Sequence, residues 1–353
     1  LWNPEYGDKQ RADDGAVCTG SILEHILIQQ LTAFYEVGDH NICRLRGADW
    51  NDALDMASEH GESVAFTCAY AGNLANLAEI IRLLNRRSSA HTARLLEEIT
   101  ILLENDTKVF CDINKKHKIL SDYMNRCRHK TSGRYVDIPL SVLSANLLQK
   151  ADWLMEHLRA QEWIEGADKE GWFNSYYDNH GRAVEGLFRD HVRMMLTGQV
   201  FAIMSGTAGD SQIKKITRSA ARYLYRKEIG GYRLNTDFHE LKFAMGRMFG
   251  FAYGEKENGA VFSHMTVMYA NALYRRGFAK EGWKALKTLA ETALDFDTSH
   301  IYPGIPEYFR SDGRGMYQYL TGAASWFMMT MITEVFGVRG DAGDLVLYPK
   351  LLS

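Results

Sequence analysis

The sequence predicts an all-α fold built as a toroid of helical hairpins, and three observations carry that reading. Only 5 of the 353 residues are proline, and Pro4, Pro303, Pro306 and Pro349 lie in the terminal segments or late loops. The middle of the chain is therefore free of helix breakers. Apolar residues recur there at i, i+3, i+4 and i+7, the spacing of one helix face. The unusual residues, meanwhile, sit in the longest non-helical stretches, 44–56, 168–190, 228–262 and 298–320. In a toroid such stretches would gather at one mouth, where a binding site can form, and this favours it over a bundle.

In chain order, TGSILEHILIQQLTAFYEVG carries leucines and isoleucines at helical spacing, with Thr19 or Ser21 as the cap. ESVAFTCAYAGNLANLAEIIRLLNRR, HTARLLEEITILLENDTKVF and PLSVLSANLLQKADWLMEHLRA repeat the pattern. VRMMLTGQVFAIMSG, SQIKKITRSAARYLY, FSHMTVMYANALYRRG, AKEGWKALKTLAETAL and LTGAASWFMMTMITEVFGV follow. These make about nine helices, separated by Gly-, Asp- and Asn-rich loops. Several, the last among them, are apolar nearly all round, as expected of helices buried between layers. Helix pairs recur, without the strict short repeat of a solenoid.

Composition narrows the function. The length suits one large core or two average domains, and 46% hydrophobic with 24% charged residues is an ordinary globular balance. A formal net charge of −3 without a long basic run argues against a nucleic-acid surface. The 5 cysteines, widely spaced and without a CxxC pair, read as reduced thiols of a cytoplasmic protein, not as a disulfide frame or zinc site. No stretch approaches the roughly 18 unbroken apolar residues of a membrane span, and no signal peptide opens the chain. The start lacks methionine and GDLVLYPKLLS ends just after a strand-like run, so both ends read as cuts in a longer polypeptide.

Three stretches could carry chemistry. In RGADWNDALD, Asp49, Asp52 and Asp55 stand at i, i+3 and i+6. On a helix they line one side; in a turn Asp49 caps the following amides, and for Asp49 and Asp55 that structural role competes with a functional one. The D-x-[DN]-x-[DN]-G spacing of a calcium loop is missing. Trp50 offers a sugar-stacking face and a low-dielectric wall that would keep a proton on Asp52, as a general acid requires.

In KENGAVFSHMT, His264 stands near the start of an apolar helix, after a loop with Glu257, Asn258 and Gly259. It reads either as a packed or capping histidine, the common fate, or as an anion ligand beside helix-terminal amides. In PEYFRSDGRGMYQYLTGAASWF, a loop with Arg310 and Arg314 runs into Thr321–Gly322 at the head of a buried helix. That is an anion site on general grounds or a plain Thr cap. The aromatic loops GWFNSYYDNHGR and GGYRLNTDFHE suit sugar rings, and equally suit packing over helices. No GxSxG elbow or nucleophilic Cys context is present.

Together and in this order, GADWNDALD, ENGAVFSH and YLTGAASWFMMTMITEVFGVR resemble glycoside hydrolase family 94, the inverting phosphorylases of cellobiose, cellodextrins, laminaribiose, chitobiose and β-1,2-glucans. Members carry a GDWND- or ADWND-type motif, then an ENG…H segment, then a YLTG segment followed by a helix ending in G(I/V)R. The likeness extends to ADDGAVCTGSILEH upstream and GQVFAIMSG in the middle. It implies an (α/α)6 barrel, incomplete in this chain, over 1–340, with 341–353 opening a C-terminal β-domain. It also implies Asp52 as general acid, Trp50 and Asn51 in the sugar site, and His264, Thr321 and Gly322 on the phosphate. Glu257 would be a sugar-hydroxyl ligand.

The implied reaction is reversible phosphorolysis of a β-linked glucosyl disaccharide or oligosaccharide to α-glucose 1-phosphate, with no metal or cofactor and inorganic phosphate as co-substrate. An inverting hydrolase needs a second carboxylate to activate water; phosphate is already a nucleophile, so one acid and an anion cradle held in line suffice. The implied partners are a β-glucan oligosaccharide, phosphate, the remaining segments of the same enzyme and a second copy in a homodimer. Alanine in ADWND leans toward the laminaribiose or cellodextrin branch. Two competitors remain: a water-using hydrolase with Glu257 or Glu307 as second carboxylate, and a non-catalytic sugar-binding or assembly piece.

Overall fold

The computed structural model describes residues 7, 9–302, 304–318 and 322–352. Helices form the framework: α1 (Ile22–Tyr35), α2 (Val64–Arg87), α3 (Thr107–Phe110), α4 (Ile113–Cys127), α5 (Leu140–Gln161), α6 (Leu196–Ser205), α7 (Asp210–Tyr223), α8 (Ser263–Arg275), α9 (Ala279–Leu294), α10 (Phe296–Ser299) and α11 (Gly322–Thr330). Strands of two to five residues join the connecting segments. The chain divides into two compact units, one of residues 1–44 and 70–157, the other of 45–69 and 158–353.

In the first unit the cap of α1 is Ser21. Its hydroxyl accepts from the Glu24 amide at 3.2 Å while the Glu24 carboxylate accepts from the Ser21 amide at 2.7 Å, a reciprocal capping box. The other Glu24 oxygen accepts from the Leu96 amide at 2.7 Å, anchoring the helix start to a distant strand. Leu27, Leu31, Phe34 and Tyr35 then pack with Leu74 and Ile81 of α2 and Leu143, Leu147 and Leu154 of α5. α2 is long and apolar enough to be compared with a membrane span, yet more than half of its most apolar window is buried in protein.

One expected helix is not there. HTARLLEEITILLENDTKVF forms a strand (Thr92–Leu96), a 3-10 segment (Glu97–Leu103) and the single turn α3. The strand pairs antiparallel with Tyr135–Pro139, Thr92 opposite Pro139 and Leu96 opposite Tyr135. Burial alternates from Thr92 to Leu95, so a local helical pattern yields to pairing with a segment about forty residues away. Conversely, α4 went unread because its lysine-rich surface hides its apolar stripe; Asp112 caps it, accepting from the Lys115 amide at 3.1 Å.

Two lysines end inside this unit. Lys116 and Lys150 are both fully buried. The Lys116 ammonium lies 4.1 Å from the Phe34 ring centre and 4.3 Å from that of Trp153, and donates to Asn41 Oδ1 at 2.8 Å. Lys150 donates to Asn146 Oδ1 at 2.7 Å and to the Glu104 carbonyl, and faces the Phe110 ring at 5.1 Å. Burial pulls each down to about 7, and the aromatic faces and oxygen acceptors around them offset only part of that cost.

In the second unit α8 is the central helix, buried almost throughout and packed by α6, α9 and α11. Asn271 of α8 donates to the Thr330 hydroxyl of α11 at 3.1 Å. A π-helical turn, Met331–Val335, follows α11 and leads to the hairpin Val338–Asp341 with Asp344–Leu347. A three-stranded sheet orders Val261–Phe262, Tyr308–Phe309 and Gly315–Met316, placing the segment entering α8 beside the loop that precedes α11. Buried Glu185 accepts from the amides of Met195, at 2.5 Å, and Ser175, and burial pushes its carboxyl up to about 8.

Candidate active site

The ADWND segment is a series of turns, not a helix. Asp49 takes the capping role: one carboxyl oxygen accepts from the Asn51 amide at 3.0 Å and from Tyr176 Oη at 3.2 Å, the other from Ser63 Oγ at 2.7 Å. Desolvation raises its pKa, and these three bonds work against the rise. Asn51 is buried; its side chain accepts from the Ala53 amide at 3.1 Å and donates to Met248 Sδ at 3.5 Å. These contacts hold the peptide between Asp49 and Asp52 in one conformation.

Asp52 departs from expectation. Its side chain is 80% exposed and lies 3.3 Å from an Arg247 nitrogen, so the apolar wall foreseen around it is not formed. The Trp50 ring turns instead to Phe262 and His264, at centroid separations of 5.7 and 5.6 Å. Trp50 borders the imidazole, not the acid.

His264, the second residue of α8, lies between Trp50 and Trp326, the latter 5.7 Å away. Its Nε2 is buried and has no hydrogen-bond partner among the described residues. Burial holds it below the ordinary imidazole value, so the ring is neutral at pH 7. Gly322, the first residue of α11, faces that ring, and a Cβ there would stand 3.0 Å from His264 Cε1. The glycine permits the close approach of helix start and imidazole. Thr321 lies outside the described residues.

Glu257 completes the group. Its Oε2 is buried and lacks a partner among the described residues. Burial raises its carboxyl, and the negative charge of Asp52 adds to the rise. The Asn258 side chain holds this loop, donating to the Phe251 carbonyl at 2.8 Å. Arg310 pairs with Glu255 at 2.9 Å.

Of the residues singled out from the sequence, Trp50, His264 and Gly322 are brought into contact, Asp52 and Glu257 are joined only through their charges, and Asn51 is taken up in holding its own turn. Sequence reasoning missed Arg247, Ser63 and Tyr176. Ser63 and Tyr176 stand opposite each other in a two-residue strand pair, and nothing local to either residue marks it. Gly246 was missed as well: a Cβ there would lie 2.1 Å from the Ala53 carbonyl oxygen. Since that neighbour is backbone, Gly246→Ala should lower the melting temperature by several degrees and loosen residues 51–56, read by thermal unfolding and amide hydrogen exchange. An unchanged melting temperature would mean that the loop at 245–248 yields freely.

The frame is helical, and its loops carry carboxylates, a half-buried neutral imidazole and aromatic faces. The chain belongs to the glycosyl hydrolase 94 superfamily, whose catalytic-domain model matches residues 6–113 and 140–337. It is 28% identical over 175 residues to a cellobionic acid phosphorylase of Neurospora crassa, covering 46% of this chain and 22% of that protein. Over 98% of the chain it is 21% identical to a 3-O-beta-D-glucopyranosyl-beta-D-glucuronide phosphorylase of Paenibacillus borealis, and over 92% it is 22% identical to a solabiose phosphorylase of the same organism. It spans 38% and 36% of the lengths of those two relatives.

Proposed function

We propose that this chain supplies the acid and part of the phosphate cradle of an inverting glycoside phosphorylase with an (α/α)6 barrel catalytic domain. Inorganic phosphate attacks the anomeric carbon of a β-linked glucoside. The glycosidic bond breaks, Asp52 gives its proton to the departing oxygen, and the products are an α-sugar 1-phosphate and a shortened sugar. The observation that carries this reading is the half-buried, neutral imidazole of His264, whose Nε2 has no partner among the described residues, beside Gly322. A neutral ring carrying its proton on Nε2 donates to an anion without adding charge, and the start of α11, where helix-terminal amides favour an anion, lies beside it. Trp50 gives the sugar an apolar face, Asn51 holds the turn that presents the acid, and the free Glu257 oxygen accepts from a sugar hydroxyl. Thr321 would add its hydroxyl to the phosphate.

The test is release of sugar 1-phosphate from a panel of β-linked glucobioses, glucosyl-glucuronides and their oligomers, with and without phosphate. Phosphate-dependent release identifies both the reaction and the linkage; release of free sugar without phosphate overturns the reading in favour of hydrolysis. In the same assay His264→Ala should raise the KM for phosphate roughly 10- to 100-fold, the loss of one hydrogen bond to a charged group. The KM for the sugar should change little.

A further inference from the structure

We propose that Arg247 is the positioning residue for Asp52, anchored in turn by Asp55, so that the three side chains form one aiming device for the acid. This rests on the phosphorylase reading and extends it to a residue outside the three motifs. Arg247 reaches the Asp52 residue twice, donating to its carbonyl at 2.9 Å and lying 3.3 Å from Oδ2. Asp55 holds Arg247 twice, accepting from its amide at 3.1 Å and from Nη1 at 2.5 Å. The backbones are matched as well: the Met248 amide donates to the Ala53 carbonyl at 3.1 Å and the Met56 amide to the Met245 carbonyl at 3.3 Å.

The physical need is plain. An exposed aspartate with no walls samples several rotamers, and an acid that is 1 Å out of place transfers its proton poorly. A guanidinium that donates to the carbonyl and lies against Oδ2 of the same residue narrows that freedom and leaves Oδ1 for the glycosidic oxygen. Arg247 touches neither substrate nor phosphate in this scheme; it acts through Asp52 alone.

The experiment compares the parent with Arg247→Ala, Arg247→Lys, Asp55→Asn and the Arg247→Ala/Asp55→Asn double variant in the complete polypeptide. Turnover is measured at saturating phosphate, and disaccharide binding separately by calorimetry. Expected are a roughly 10- to 100-fold fall in kcat for Arg247→Ala, disaccharide affinity within about threefold of the parent, and partial recovery in Arg247→Lys. The double variant should be no worse than Arg247→Ala, because both substitutions break the same chain of contacts. A parent-like kcat in a folded Arg247→Ala, or losses that multiply in the double variant, overturns the inference and leaves the phosphorylase reading standing. A parent that binds disaccharide and shows no phosphate-dependent turnover overturns that reading, and the inference with it. If Arg247→Ala fails to fold, Asp55→Asn and Arg247→Lys decide by the same kcat criterion.

Discussion

Asp52→Asn should lower phosphate-dependent turnover of unactivated disaccharides by about 10²- to 10⁴-fold in kcat, the range expected when a general acid is lost. The side chains have nearly the same shape, and the Asp52 carbonyl, which accepts from Arg247 at 2.9 Å, is untouched by the substitution, so the turn at 49–55 stays in place. What disappears is the transferable proton. A substrate whose leaving group departs without protonation, such as a nitrophenyl β-glucoside, should therefore recover much of the lost rate. Equal loss on both kinds of substrate would move the acid role to another residue, with Glu257 the next carboxyl in the site.

The second large effect is a pair of opposite pH dependences, one in each unit. Lys116 and Lys150 stand at about 7 in the folded chain against an ordinary 10.5. Between those values the unfolded chain binds more protons, so their contribution to stability is fully present above 10.5 and is lost as the pH falls through 7. At about 1.4 kcal/mol per pH unit the ceiling is ~5 kcal/mol for each lysine. Glu185 runs the other way: at about 8 in the folded chain against 4.5, its contribution is fully present below 4.5 and is lost as the pH rises through 8. Amide exchange resolved by segment should show residues 70–157 gaining protection from pH 7 to 10 while the segments around 175 and 195 lose it from pH 5 to 8. Lys116→Met should roughly halve the first slope, and Glu185→Gln should flatten the second. Parallel slopes in the two units would show that these buried groups do not govern their stability.

Much of the frame was legible because helical spacing is local. The segments that became α1, α2, α5 to α9 and α11 each display their buried stripe within a few turns. The strand at Thr92–Leu96 was misread because its partner, Tyr135–Pro139, carries the deciding information. The site divides in the same way. Trp50, Asp52, Glu257 and His264 belong to short motifs whose residue types announce chemistry. Arg247, in contrast, is a single arginine between Gly246 and Met248, and its partners lie 192 and 195 residues away. The exposure of Asp52 was equally hidden, since the direction taken by the neighbouring Trp50 ring depends on Phe262 and His264.

The three-stranded sheet beneath the site sets where this part of the chain can change length. Val261 pairs with Phe309, Phe262 with Tyr308, and Tyr308 in turn with Met316. The turn from Arg310 to Arg314 closes on itself, the Arg310 amide donating to the Arg314 carbonyl at 3.0 Å. Residues inserted between Ser311 and Asp312, both exposed, extend that tip and leave both pairings intact. A single residue inserted before Tyr308 would instead turn the alternation over and take the Tyr308 ring off Phe262, against which it stacks at 5.9 Å. The tip is thus a place where a lineage can lengthen the chain, or an engineer can graft a peptide, while the segments leading to His264 and Gly322 keep their register.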